Sequence, residues 1–93
     1  MTTSREKRHM GRVAELGCIV CRNQGMGPTP AQVHHIRVWV GMGQRSGSFL
    51  TIPVCPTHHS ERHKSREAWE MRYNTTEAEL LDQTLDQLYG DIK

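Results

Sequence analysis

Three cysteines and a distant histidine are the first residues able to do chemistry in this 93-residue chain. Cys18 and Cys21 are separated by two residues, and Cys55 and His58 repeat that spacing. The spacing lets both members of a pair reach one tetrahedral ion, and four closed nitrogen and sulfur ligands are typical of structural zinc. The sequence therefore predicts a zinc site of three thiolates and one imidazole. The alternative is three buried cysteines and a surface histidine without a metal.

A second group of histidines has a different pattern. His59 and His63 are four residues apart in a predicted helix and share a face, whereas His58 points about 100° away. His34 and His35 are adjacent on a predicted strand, so they face opposite sides. One of them can join the helical pair at a metal while the other faces a substrate. Three protein ligands leave room for water and a phosphate, and a neutral histidine can accept a proton from water. The alternative is histidines on a helix surface that bind nothing.

The elements that position these ligands follow from periodicity and turn residues. The sequence predicts a helix over residues 3–17, with a serine or threonine to cap its start and a glycine to stop it. Residues 22–30 are predicted as a loop because glycines and prolines recur there. Residues 31–40 and 49–54 are predicted as the strands of a hairpin. Pro53 indicates an edge position or a strand end.

The C-terminal half is predicted to be helical. One helix is expected over residues 56–73, ending at Asn74. A last helix is expected at about residues 76–91, where Thr76 and Glu79 form a capping box. Leucine and isoleucine recur on one face of this last helix, and such a stripe more often packs in a core than against a partner. Its members are Leu81, Leu85, Leu88 and Ile92.

Length and composition predict one domain over residues 1–93, with its core at about residues 18–73. At 35% hydrophobic residues and five aromatic ones, the apolar core is marginal and needs a further cross-link. An odd number of cysteines argues against a disulfide framework. No signal-peptide pattern or stretch of transmembrane length is visible. We therefore expect a cytoplasmic, reduced protein, in which thiols usually bind metal.

The net charge of +2 hides an asymmetry. Residues 1–73 hold 11 Lys and Arg against five Asp and Glu, whereas residues 74–93 hold one Lys against five acidic residues. A basic body of net charge +6 fits a polyanionic partner, although ordinary solvated charge is the alternative. His9, in the first helix, is interpreted as an ordinary surface residue.

The motif "CIVC … HHI … IPVCPTHHSERH" covers residues 18–63 and fixes residue types at eight positions. On these residues the chain resembles the HNH endonuclease superfamily, and within it most of all the phage-type recombination-enhancement nuclease that depends on RecA. The resemblance implies an α+β fold: a small zinc-stapled, treble-clef-like ββα-metal finger with flanking N- and C-terminal helices. In such a finger, zinc cross-links the segments that carry its ligands.

The resemblance also implies a role for each matching residue. His35 falls on the position of the general base that activates water against a phosphodiester. His34, His59 and His63 fall on the ligands of the catalytic divalent ion. The structural zinc ligands of the family fall on Cys18, Cys21, Cys55 and His58. The asparagine that orients the base in the superfamily has no counterpart between His35 and His59, where Thr51 or Ser48 lies near the expected place.

Residues and resemblance together predict a metal-dependent DNA endonuclease with structural Zn²⁺ and catalytic Mg²⁺ or another divalent ion. DNA is the expected partner, with Arg37 and Arg45 beside the hairpin as candidate phosphate contacts. Family likeness adds a recombinase filament as an expected partner, and no membrane is expected. One alternative is a non-catalytic zinc-stapled DNA-binding module. Another is a recombination accessory factor whose acidic last helix docks a partner.

Overall fold

The computed structural model describes residues 3–36 and 49–90. Within these ranges the chain forms five helices and one two-stranded sheet. In chain order the elements are α1 Ser4–Glu15, α2 Ile19–Asn23, β1 Gln32–His35, β2 Thr51–Val54, α3 Pro56–Lys64, α4 Arg66–Tyr73 and α5 Glu77–Tyr89. The α+β class is confirmed, with the hairpin followed by a helix as a ββα finger requires. None of the helices in the described ranges is long and apolar enough to cross a membrane.

Helix α1 begins at a capping box. The Thr3 side chain accepts the backbone N–H of Glu6, whose own carboxylate accepts the backbone N–H of Thr3. The helix buries Val13 and ends before Gly17, which has a φ of +80°. A side chain at Gly17 would meet Pro28 at 3.0 Å, so glycine is required for both conformation and space. The predicted stop at this glycine is confirmed.

The interpretation of His9 as a surface residue is wrong. His9 is 3% exposed, and its Nδ1 lies 2.8 Å from the Tyr89 hydroxyl on α5. The ring also packs against Phe49, with the ring centroids 4.9 Å apart. Sequence position alone suggested an exposed charge-rich helix, but α5 and the segment before β2 cover this side of α1.

The hairpin is antiparallel and pairs His34 with Ile52 and His35 with Thr51. Pro53 pairs with Val33 on a strand that has one neighbour in the described sheet, as expected of an edge strand. Both strands are shorter than predicted within the described residues. The rest of the first predicted strand, residues 37–40, lies outside them.

Residues 56–73 form two helices, so the predicted single helix is wrong. Ser65 separates α3 from α4 with an extended backbone, φ −165° and ψ 113°. Its hydroxyl accepts the backbone N–H of Ala68, which caps the second helix. A serine side chain can bond to nearby backbone groups in a non-helical conformation. At Ser65 this local bond interrupts a sequence whose pattern is otherwise helical.

A second departure lies at residues 22–23. Arg22 and Asn23 belong to the short helix α2, where a loop was predicted. The Cys18 sulfur accepts the backbone N–H of Cys21 at the start of this helix. The chain between Cys18 and Cys21 is therefore the first turn of a helix, which continues to Asn23.

Helix α5 closes the core. Leu80 and Leu81 are 1% and 3% exposed, and Leu85 packs against the same cluster. Leu88 is half-buried, and Ile92 lies outside the described residues. The stripe is therefore core packing at its N-terminal end, as predicted, although Leu80 was not among its expected members. Besides Cys18 and Cys21, the other buried members of the cluster come from α2, the end of β1, β2 and α4: Ile19, Val20, Ile36, Ile52, Val54 and Trp69.

Candidate metal centres

Three cysteines and His58 converge at one point beneath the hairpin. The Nδ1 atom of His58 lies 3.4 Å from the Cys18 sulfur, 3.5 Å from Cys21 and 3.2 Å from Cys55. The sulfurs of Cys21 and Cys55 are 3.9 Å apart. Ligand atoms of a tetrahedral zinc lie about 3.3–3.8 Å apart when the bonds are about 2.0 Å to nitrogen and 2.3 Å to sulfur. These four residues can therefore hold a metal such as zinc.

Each half of this cluster is built by the start of a helix. Cys18 caps α2 and Cys55 caps α3, and each sulfur accepts the backbone N–H of the residue three positions later. The N–H groups of a helix start favour the thiolate over the thiol. Because the second ligand of each pair lies within the first turn, the two-residue spacing brings both ligands to the same side.

The pKa values of Cys18 and Cys55 shift in opposite directions. Burial raises the pKa of Cys18 to about 11, because a buried thiolate loses hydration. Burial also opposes ionisation of Cys55, but hydrogen bonds from the His58 and Thr57 backbone help to lower the pKa of that thiol. A bound cation favours the thiolate at every position. All three cysteines are free, and the odd count is accounted for by one shared cluster.

A second convergence joins β1 to α3. His34 Nδ1 lies 3.2 Å from His59 Nε2, and His63 Nε2 lies 3.1 Å from the same atom. Nitrogen ligands bound at about 2.0–2.1 Å around a tetrahedral ion lie about 3.3 Å apart, so the three imidazoles can hold one ion. His34 is buried, His59 is half-buried and His63 is exposed. The cluster is therefore enclosed on the side of the strand and open on the side of the helix.

The ring tautomers suit this arrangement because other residues bind the opposite nitrogens. His59 Nδ1 lies 2.8 Å from the Gln32 side-chain oxygen, to which it donates. That leaves the lone pair on His59 Nε2 at the point of convergence. Burial, together with the nearby His34 and His63, lowers the pKa of His59, which keeps the ring neutral as a ligand must be.

His34 is oriented by a buried carboxylate. Its Nε2 donates to Glu77 Oε2 at 2.8 Å, which leaves the Nδ1 lone pair facing His59. Glu77 is fully buried and also accepts from Arg62 Nε at 2.6 Å. Burial alone would raise the pKa of Glu77, but the bonds from His34 and Arg62 lower it to about 2. An ionised carboxylate behind a metal-binding histidine fixes the ring and increases its basicity.

Sequence comparison places these clusters in a known family. The family described as recombination enhancement, RecA-dependent nuclease matches residues 2–74, which include the residues of both metal clusters. The chain belongs to this family. Among curated proteins and solved structures, none matches the chain. Membership associates the chain with nuclease activity and with RecA.

The match of the RecA-dependent nuclease family ends before Glu77. This carboxylate and Arg62 were missed by sequence reasoning, which assigned Thr76 and Glu79 to a capping box and gave Glu77 no role. Thr76 caps α5 as predicted, with the Glu79 backbone N–H donating to its hydroxyl, and the Glu79 carboxylate accepts from that hydroxyl. No local pattern marks Glu77, because it is 43 residues from His34 in sequence. Gln32 was missed for the same reason.

His35 lies next to His34 on β1 and is half-buried. Strand alternation turns its side chain away from that of His34. It is paired in register with Thr51, one of the two residues expected near the place of the missing asparagine. Thr51 is fully buried. Ser48, the other of the two, and the two candidate phosphate contacts, Arg37 and Arg45, lie outside the described residues.

Proposed function

We propose that this member of the RecA-dependent nuclease family is a metal-dependent DNA endonuclease of HNH type that hydrolyses phosphodiester bonds. The observation that carries the proposal is the convergence of His34, His59 and His63 beside a hairpin that a second cluster cross-links. In this proposal one cluster stabilises the fold and the other binds the catalytic ion. The closed cluster of four ligands suits structural zinc, and the open cluster of three suits a catalytic ion.

In the proposed mechanism His35 accepts a proton from the attacking water. A neutral imidazole does this near neutral pH. His34, His59 and His63 would hold the divalent ion, which would supply Lewis-acid stabilisation to the phosphate oxygens. Glu77 keeps the His34 ring in place, and Gln32 does the same for His59. His63 is exposed, which leaves an approach for the phosphate at that side of the cluster.

The ligand atoms of each cluster indicate which metal ion it would bind. Three thiolates and one imidazole select zinc at the closed cluster. Three imidazoles bind zinc, nickel or manganese more tightly than magnesium in vitro, although magnesium is the abundant ion that we propose is used in cells. The family name supports action together with a RecA filament, which we propose as the second partner beside DNA.

Two histidine variants separate the proposed roles. His63→Ala removes an exposed ligand, so Mn²⁺ binding by calorimetry and plasmid nicking should both decline. His35→Ala should retain Mn²⁺ binding and zinc content while nicking is lost. If His35→Ala nicks at the wild-type rate, His35 is not the base. If His63→Ala and His59→Ala both nick at the wild-type rate, the open cluster has no catalytic role and a non-catalytic DNA-binding module is favoured.

A further inference from the structure

A surface cleft of about 270 Å³ lies between α1, the residues just before β2 and the end of α5. None of its lining residues belongs to either metal cluster. The lining residues are Arg5, Arg8, His9, Arg12, Phe49 and Tyr89. The cleft thus combines cationic and aromatic side chains within a small area.

Its cationic side comes from one face of α1. Arg5, Arg8 and Arg12 are spaced by three and four residues, which places them on the same side of a helix. In the described part of the chain, no carboxylate lies within ion-pair distance of these three guanidinium groups. Arg62 and Arg72, by contrast, pair with Glu77 and Glu61. The cleft therefore presents uncompensated positive charge, which attracts an anion.

Its aromatic side is held in place from within. The His9 ring is stacked with the Tyr89 ring at 5.9 Å, and the Arg12 guanidinium lies 4.9 Å above Tyr89. Arg12 also donates to the Leu88 carbonyl at 3.4 Å. Phe49 packs one part of its ring against His9 yet remains 46% exposed. An exposed phenyl ring beside cationic side chains offers a platform for stacking.

His9 supplies a polar ring to the lining of the cleft. Nε2 of His9 is buried and makes no hydrogen bond within the described residues, although Nδ1 of the same ring meets Tyr89. Burial, and then the Arg12 charge, lower the pKa of His9, so the ring adds hydrogen-bonding capacity without adding charge. Buried polar atoms are normally satisfied, so this nitrogen retains capacity for one further hydrogen bond, as do Thr29 Oγ1 and Trp69 Nε1 away from the cleft.

We propose that this cleft binds a single strand of nucleic acid, with phosphates on Arg5 and Arg8 and an unpaired base stacked on Phe49. Guanidinium groups bind phosphate through paired hydrogen bonds, and aromatic rings stack on bases of any sequence. A duplex offers phosphates to the arginines but keeps its bases stacked, so it would leave Phe49 unused. Strand binding here is independent of the proposed hydrolysis.

The test is fluorescence anisotropy with a labelled single-stranded oligonucleotide and the matching duplex. The full chain is used with its zinc and without added magnesium, over a range of salt concentrations. Arg8→Gln should reduce the slope of log affinity against log salt by about 0.7, the share of one phosphate contact on a single strand. Lys7→Gln is the matched control, because this exposed lysine lies on α1 outside the cleft. It should leave the slope unchanged.

Phe49 provides the second arm. Phe49→Ala should weaken single-strand binding by about 5–150-fold, the range for one stacked base, and leave duplex binding unchanged. Phe49→Trp should retain binding. Thermal unfolding and zinc content verify that each variant is folded.

Three results would overturn the proposal. Arg8→Gln could behave like Lys7→Gln, or Phe49→Ala could weaken duplex and single strand equally. A polyglutamate chain that displaces the oligonucleotide as well as unlabelled single strand would instead assign the cleft to an acidic peptide. Because binding is measured without cleavage, none of these results depends on nuclease activity.

Discussion

The Glu77 carboxylate is buried and ionised, a costly combination that its partners explain. His34 and Arg62 both donate to Oε2, and the Glu77 backbone N–H donates to the Glu70 carboxylate. Removing one member of such a group leaves the others with an unpaired charge in a buried site. The position of the His34 ring in the open cluster therefore depends on Glu77, a residue of α5.

Glu77→Gln should weaken Mn²⁺ binding by about 10–100-fold, the usual effect of losing a carboxylate behind a histidine ligand. The amide still fits the space, but it lacks the charge that fixes the His34 tautomer and pairs with Arg62. Calorimetric titration of Mn²⁺ measures the change.

Thr84→Val is the matched control for that titration. Thr84 is fully buried on the same helix, and its hydroxyl donates to the Leu80 carbonyl. The variant should change the unfolding temperature and leave Mn²⁺ affinity unchanged. Equal Mn²⁺ affinity of Glu77→Gln and wild type would contradict the assigned role of Glu77.

Cys55→Ala should leave the chain without bound zinc and unfolded at room temperature. Binding of structural zinc contributes about 10–16 kcal/mol in small domains, which is as large as the whole stability of about 5–15 kcal/mol that is typical of a domain. Cys55 also caps α3, so its loss removes a hydrogen bond as well as a ligand. Circular dichroism and metal analysis test this. A cooperative unfolding transition in zinc-free Cys55→Ala would show that the cluster is dispensable for folding.

At the scale of elements, two glycines on either side of the end of α1 have opposite requirements. Gly17 has a positive φ and would meet Pro28 and Thr29 with any side chain. Gly11 lies inside the helix, and a Cβ there would meet nothing within 4 Å.

Gly17→Ala should therefore lower the free energy of unfolding by about 1–3 kcal/mol, through backbone strain and the clash. Gly11→Ala should raise it by about 0.5–1 kcal/mol, because alanine loses less entropy in a helix. Thermal or denaturant unfolding of the zinc-loaded proteins measures both. Equal effects of the two substitutions would mean that the turn into α2 does not need the left-handed conformation.

Elements with a local cause were predictable from sequence. The cysteine pairs, the stop at Gly17 and the Thr76 cap each rely on spacings of a few residues, and the structure has them. The break at Ser65 was also local but was hidden by a strong helical pattern on both sides. Such a pattern reports the average preference of a window and overlooks one competing hydroxyl.

Contacts between distant elements were not predictable. His9 is covered by α5, and Glu77 reaches His34 across the core, although neither has a sequence partner at a fixed spacing. That one strand histidine joins His59 and His63 was predicted from the residue pattern, whereas the choice of His34 over His35 came from the resemblance. The role of His35 rests on the same resemblance and stays a prediction.

At the scale of the whole molecule, the described basic residues are not spread evenly. Arg5, Arg8 and Arg12 line one cleft, whereas Arg62 and Arg72 are occupied by carboxylates. Part of the positive charge of residues 1–73 is therefore used in ion pairs within the fold. The arginines on the cleft face of α1 are not part of those pairs. Charge counting from sequence cannot make this distinction, because it treats paired and unpaired arginines alike.

The acidic last helix is integrated with the fold. Glu77 contacts His34 and Arg62, and Leu80 and Leu81 are buried in the core. An accessory role in which α5 is a detachable docking segment is therefore disfavoured. Removal of residues 76–93 would expose the core and free the His34 ring.

The most direct test of the central claim is nicking of supercoiled plasmid by the purified protein in Mg²⁺ or Mn²⁺, with and without a RecA filament. We expect nicking that requires the added ion and is absent in His35→Ala prepared with the same zinc content. Nicking by His35→Ala at the wild-type rate would contradict the assignment of the base. Absence of nicking by zinc-loaded wild type under every condition, with DNA still bound, would contradict the nuclease itself.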